Sequence, residues 1–134
     1  MVKISANRLD METKRLERPQ MKNYTETLVT PSVAATTTID VSLGNVFLIS
    51  QNVSITTLTI SNVPTSGTIC SITLIRVHDA TTTTYSITWP TSFKWVGGTA
   101  PTLTQTVGAV DIINAMTKDG GATWYAAAAG LDMR

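Results

Sequence analysis

The chain has 134 residues, of which 43% are hydrophobic and only 14% charged, and its formal net charge is +1. That length suits one domain with enough apolar material for a core, and the balance of charge excludes a field strong enough to gather nucleic acid or an anionic membrane. A single cysteine, Cys70, excludes an intrachain disulfide and a cysteine-rich zinc cluster; its alternating context predicts a buried, inert thiol.

More than half of the charge lies in the first 26 residues, which marks residues 1–23 as an arm distinct from a domain over 24–134. Within the arm, Asn7 is placed to cap a short helix running to about Arg18, with Leu9 and Leu16 seven residues apart and Pro19 as its stop. A helix of that length is marginal alone in water and orders against a neighbour. No apolar stretch approaches the roughly 20 residues needed to span a bilayer, and the charged start lacks the apolar centre of a signal peptide. The expectation is a soluble chain with no membrane insertion.

From Tyr24 onward the pattern changes to short β-branched runs broken by turn residues about every ten positions, the pattern of an all-β sandwich or barrel. The predicted strands are Tyr24 to Thr30, Thr38 to Leu43, Asn45 to Ser50, Ser54 to Ile60, Thr68 to Val77, Tyr85 to Trp89, Val107 to Thr117 and Ala122 to Ala128. Ile39, Val41 and Leu43 alternate with polar neighbours, as do Cys70, Ile72 and Leu74, and then Val110 and Ile112, so each of these sets is predicted to face the core. The apolar phase slips between Ile55 and Leu58, which predicts a bulge near Thr57. Gly44-Asn45 and Asp119-Gly120-Gly121 read as hairpin turns joining antiparallel neighbours. Residues 62–67 and 93–101 read as longer surface loops, the second carrying Gly97 and Gly98. Threonine, concentrated at Thr36 to Thr38 and Thr81 to Thr84, takes the place of charge on the surface.

Few residues are suited to chemistry. His78, the only histidine, precedes Asp79, but neighbours on a strand point to opposite faces and no nucleophile accompanies them, so a structural pair is the favoured reading. His78, Asp79 and Asp111 lack the spacing of a metal site. No glutamate follows Glu26, which weakens a paired-carboxylate glycosidase built from Asp40, Asp79, Asp111, Asp119 or Asp132, and no phosphate-cradling or dinucleotide motif occurs. No catalytic residue, metal or cofactor is assigned. The aromatic residues Tyr85, Trp89, Phe93, Trp95, Trp124 and Tyr125 cluster in the second half; Trp89 and Trp124 suit a core, whereas Trp95 beside a Gly-rich stretch suits surface contact as well.

The segments Ile87-Thr88-Trp89-Pro90, Lys94-Trp95 with Gly97-Gly98-Thr99-Ala100-Pro101-Thr102-Leu103-Thr104, Val110-Asp111, and Asp119-Gly120-Gly121 with Thr123-Trp124-Tyr125 together resemble the small β-domain of bacteriophage virion proteins, such as tail-fibre and minor tail proteins. Pro19, Met21-Lys22, Tyr24, Glu26-Thr27 and Gly44-Asn45-Val46 resemble the leading strands of such domains, so the resemblance covers roughly Pro19 to Asp132. It implies an all-β, antiparallel β-sandwich of jelly-roll type with a short N-terminal helical or extended arm, assembled as a homotrimer and located in the virion after synthesis in the bacterial host cytoplasm. It implies no enzymatic activity. The absence of a long shaft before the domain departs from the fibre pattern.

On this reading the arm, through Leu9, Arg15, Leu16 and Arg18, docks the protein on other phage virion proteins. Trp95, Gly97, Gly98, Asp119, Gly120 and Tyr125 are the candidate surface contacts toward a host-surface glycan or protein. Two alternatives stand beside the tail-fibre or tail-tip role: a capsid decoration or cement protein stabilising the head, and a carbohydrate-binding module.

Overall fold

The computed structural model describes residues 20, 22–79 and 82–134. The predicted arm helix, with Leu9, Arg15, Leu16 and Arg18, lies outside the described residues. Among the described residues the regular structure is β apart from one 3₁₀ turn, Val96–Gly98. The strands are β1 (Leu28–Val29), β2 (Thr36–Asp40), β3 (Val46–Gln51), β4 (Thr57–Ser61), β5 (Cys70–His78), β6 (Phe93–Trp95), β7 (Val110–Thr117) and β8 (Trp124–Met133). They form a six-stranded sheet in the order β1-β3-β5-β7-β8-β6 and a two-stranded sheet of β2 and β4.

The all-β expectation holds, but the pairing is mixed rather than antiparallel. β1 with β3, β3 with β5, β2 with β4 and β6 with β8 run parallel; only β5 with β7 and β7 with β8 run antiparallel. The first five strands alternate between the sheets, odd ones in the large sheet and even ones in the small, so the chain winds around the core instead of folding back in hairpins. Parallel neighbours need a crossover, and here β2 and β4 supply it. The hairpin predicted at Gly44-Asn45 is therefore absent, because β2 and β3 belong to different sheets. Gly44 serves a close approach instead: a Cβ there would lie 3.0 Å from Val29 Cγ2 on β1. The Asp119-Gly120-Gly121 turn does join antiparallel neighbours, β7 and β8.

One core draws on both sheets: Ile39 and Leu58 from the small sheet meet Phe47, Ile49, Ile72, Leu74, Ile113 and Trp124 from the large one. Ile55, Ile87 and Leu103 join them from the connections. The phase slip between Ile55 and Leu58 takes the form of a two-against-one pairing, in which the amides of Thr56 and Thr57 both donate to the Ala35 carbonyl, each at 2.9 Å. Both Ile55 and Leu58 are thereby buried, as a bulge allows.

Other boundaries differ from expectation for identifiable reasons. Strand β1 is only two residues of the predicted Tyr24 to Thr30. β2 stops at Asp40, whose carboxylate accepts the Ser42 amide at 2.9 Å, so Leu43 is turned out and is 60% exposed rather than core-facing. Tyr85 to Trp89 makes only an isolated bridge, Ile55 to Ile87. There the Gln105 side chain stands in for a neighbouring strand, donating to the Tyr85 carbonyl at 3.0 Å and accepting its amide at 2.8 Å. Phe93 to Trp95 was expected to be loop and is instead β6, an edge strand held by β8. In β7 the buried set is Asp111, Ile113, Ala115 and Thr117, whereas Val110 and Ile112 lie on the outer face, opposite to expectation.

That inversion comes from a buried ion pair. Arg76 and Asp111 stand directly opposite in the β5–β7 register and point inward, with Nη1 3.0 Å from Oδ2. Arg76 Nε donates to Gln51 Oε1 on β3 at 2.7 Å, and Nη1 also donates to the Thr104 carbonyl. Asp111 accepts the Thr104 amide at 2.8 Å and the Asp132 amide at 3.1 Å. The β7–β8 register shifts around Val110 and Ile112, and this irregularity brings the Asp132 amide to the carboxylate. Burial pushes the Asp111 carboxyl upward, but the Asp132 and Thr104 hydrogen bonds and the Arg76 charge outweigh it and hold the group below its ordinary value. Burial likewise lowers the Arg76 value against the opposing pull of Asp111.

Removing one partner strands a buried charge, so Asp111→Ala is expected to cost about 3–5 kcal/mol, while Arg76→Met with Asp111→Leu recovers most of that loss. Chemical denaturation measures both; a cost below about 1 kcal/mol for the single change would refute the assignment. The folded-state value of Asp111 lies below its unfolded value of about 3.9, so this carboxylate adds stability above that pH and loses it as pH falls through the folded value. The urea midpoint is expected to fall on acidification below about pH 4, and less steeply in Asp111→Asn.

Candidate functional site

Alternation along β6 turns Phe93 and Trp95 toward the core side and Lys94 outward, because β6 pairs in register with β8: Phe93 with Trp124, Lys94 with Tyr125 and Trp95 with Ala126. Trp124 is 1% exposed and fills the core. Phe93 stacks on Trp124 with centroids 6.0 Å apart and on Trp89 at 5.6 Å, and Trp95 meets Trp89 edge-on at 5.0 Å. Trp95 is thus a half-buried member of an aromatic cluster rather than a free loop side chain. Trp89 is also partly buried against the core.

Beyond Trp95 the chain makes its 3₁₀ turn. Gly97 and Gly98 adopt φ of 69° and 79°, with open space where a Cβ would stand, so backbone conformation rather than crowding calls for glycine. The turn carries Val96, 78% exposed. Val96 overlooks a shallow depression of about 310 Å³ that is also lined by Lys94, Trp95, Met116, Tyr125 and Ala127. The Lys94 amine donates to the Thr91 carbonyl at 3.1 Å. Lys94 and Tyr125 are the ionisable groups of this lining, which contains no carboxylate, histidine or cysteine. Such a wall offers aromatic, thioether and aliphatic contact.

The predicted contact residues therefore separate into two groups. Trp95, Gly97, Gly98 and Tyr125 gather around this depression. Asp119 and Gly120 sit at the β7–β8 turn, and a Cβ on Gly120 would lie 3.4 Å from the Ser66 amide nitrogen. Asp119 Oδ1 accepts the Thr123 amide and the Thr117 hydroxyl, each at 2.8 Å, and these bonds hold its carboxyl below the ordinary range. Asp119 is thus the organiser of a turn. Met116, Val96 and Lys94 were missed from sequence. Met116 and Tyr125 are opposed in the β7–β8 register, and Tyr125 follows the inward Trp124, so strand parity carried a usable signal for it.

The other chemistry-bearing residues are packed in the fold, although His78 Nε2 is buried without a hydrogen-bond partner among the described residues. His78 is buried at the end of β5, with Nδ1 3.1 Å from the Asp79 carbonyl oxygen and its ring 5.3 Å from that of Tyr85. Asp111 is paired with Arg76. Cys70 is buried, which pushes its thiol upward. Among the described residues no three His, Cys, Asp or Glu side chains are grouped to hold a metal ion, and no helix is long and apolar enough to cross a membrane.

Comparison with protein-family models, with characterised proteins and with solved structures finds no match to this chain.

Trp95 packs on Trp89 and Phe93, so Trp95→Ala is expected to lower stability by about 2–3 kcal/mol, whereas Tyr125→Ala on the open side of β8 costs under about 1 kcal/mol. Denaturant midpoints of the two variants check this. Equal losses would place both rings in the same environment.

Proposed function

We propose that the protein is a bacteriophage virion structural protein of tail-fibre or tail-tip type. In this reading a β-sandwich of jelly-roll type assembles as a homotrimer, the N-terminal arm docks it on other virion proteins, and the domain faces the host surface. The role is one of contact and assembly, without catalysis and without a cofactor. The carrying observation is that separated pieces of the sequence resemblance meet in space: Trp89, Trp95 and Trp124 come from three different segments and join one aromatic cluster around Phe93. Beside that cluster lies the Val96 and Tyr125 depression, a contact surface of the amphipathic kind that suits a glycan ring or an apolar protein side chain.

The near-neutral character of the chain fits the same role. A threonine-faced, sparsely charged β-domain packs against copies of itself and against other subunits without burying unpaired charge. The arm carries the charged docking function, with Arg15 and Arg18 its cationic contacts and Leu9 and Leu16 its apolar ones.

Antibody labelling and quantitative protein analysis of phage particles that carry this gene test the proposal. A few tens of copies at most, confined to the tail, are expected. Arg15→Glu with Arg18→Glu is expected to leave a folded protein that no longer incorporates. Hundreds of copies on the head would replace this reading with the capsid-decoration role, and absence from particles would overturn both.

A further inference from the structure

We infer that the outward face of the six-stranded sheet, centred on Leu48, Ile75 and Ile112, is the surface through which copies of this chain pack on one another. The inference rests on the self-assembly in the proposed function but not on a virion location. Its starting observation is a contrast within one chain. On the two-stranded sheet the outward positions are Thr36 opposite Thr57 and Thr38 opposite Thr59, all exposed, as a face in water should be. On the large sheet the outward positions divide: Ser71, Thr73 and Asn114 at one end are polar, with the Thr73 hydroxyl donating to Asn114 Oδ1 at 3.1 Å, whereas the central strands carry adjoining aliphatic rows toward the other end. Leu48 on β3, Ile75 on β5 and Ile112 on β7 form one continuous row across three strands, and Val77 opposite Val110 forms the next. All five are half-buried and lie on the side of the sheet away from the core.

Threonine and valine differ by a hydroxyl for a methyl, and both suit a strand. A chain that keeps one sheet's outer face polar throughout and gives the other's central strands two adjoining aliphatic rows has distinguished a wet face from a covered patch. The apolar set cannot be explained by strand propensity alone, since the threonine-bearing strands satisfy that equally well.

Size and charge select the occupant. Four strands, β3, β5, β7 and β8, about 4.8 Å apart and averaging roughly eight residues, give a face of about 500 Å² in projection, and standing side chains raise the accessible area toward the roughly 800 Å² per partner of a standard interface. On β3, β5 and β7 the outward positions carry no charged side chain; Lys94, outward on β6, stands at the sheet edge two strands beyond β7. The N-terminal 19 residues carry eight charged side chains, so laying them here would bring charges onto a neutral surface. A second copy presents the same neutral aliphatic face by construction. In the trimer of the proposed function each copy turns this face toward the three-fold axis.

Light scattering coupled to size-exclusion chromatography of the full chain at micromolar concentration tests this. The wild-type mass is expected to be that of three chains. Leu48→Lys with Ile112→Lys puts like charges into the centre of the face and is expected to give the mass of one chain, with an unchanged far-ultraviolet spectrum. Leu43→Lys, on an exposed residue in the turn after β2, is expected to keep the wild-type mass. Should the lysine pair unfold the chain, Ile75→Thr with Ile112→Thr copies the pattern of the small sheet. It is expected to raise the dissociation constant by roughly tenfold or more. A single-chain mass for the wild type would overturn both self-assembly and this face, and would also be the result if the arm covered it. An oligomer untouched by either pair of changes would overturn the face alone.

Discussion

The Arg76–Asp111 pair is the constraint on which the large sheet depends. Two charges withdrawn from water incur a desolvation penalty that only tight geometry and full hydrogen bonding offset. Here the geometry is supplied by strand register, since the two residues are direct partners across β5 and β7. Further bonds come from far along the chain, from Gln51 on β3, both backbone groups of Thr104 and the amide of Asp132 on β8, while Arg76 Nη2 stays buried without a partner among the described residues. Gln51 in turn donates to the carbonyls of Val53 and Ser86. A one-residue slip of β7 would carry Asp111 to the outer face and leave Arg76 buried alone. The pair therefore specifies register more than it adds stability.

From this pinned register follows the division of the two sheet faces. With Asp111 inward, Ile113 and Ala115 are inward as well, and Val110 and Ile112 must point out. The same parity along β5 places Cys70, Ile72, Leu74, Arg76 and His78 inside and Thr73, Ile75 and Val77 outside. The outer face of the central strands thus carries an aliphatic stretch, Leu48, Ile75, Val77, Val110 and Ile112, beside the polar Ser71, Thr73 and Asn114. The parallel winding of β1 to β5 belongs to the same design, because it lays the small sheet over the inner face and leaves the outer one without a cover from the described residues.

The aromatic cluster solves a different problem, that of a short edge strand. β6 has three residues and one neighbour, so backbone pairing alone holds it weakly. Phe93 and Trp95 compensate by packing against Trp89 and Trp124, which anchors the strand and fixes where the Val96 turn projects. The exposed Val96 and Tyr125 side chains consequently stand on a packed support.

Strand content, the single buried cysteine, the threonine surface and the bulge near Thr57 were legible in the sequence because each depends on local rules: β-branched propensity, alternation and turn chemistry. The β7–β8 turn was legible for the same reason, since Asp119 and Gly121 are held by the neighbouring Thr117 and Thr123, all within seven residues. Which face of β7 is buried was not. Val110 and Ile112 look more core-like than Asp111, and only the distant Arg76 reverses that order. Nor was the winding legible, since a Gly-Asn turn reads the same whether the next strand returns beside its predecessor or crosses to another sheet. Trp95 appeared to belong to a loop because its three-residue strand exists only through pairing with β8, thirty residues on. Local propensity determined what the segments are, and the tertiary structure decided which faces and partners they take, because buried charge and long-range pairing are satisfied only between residues far apart in the chain.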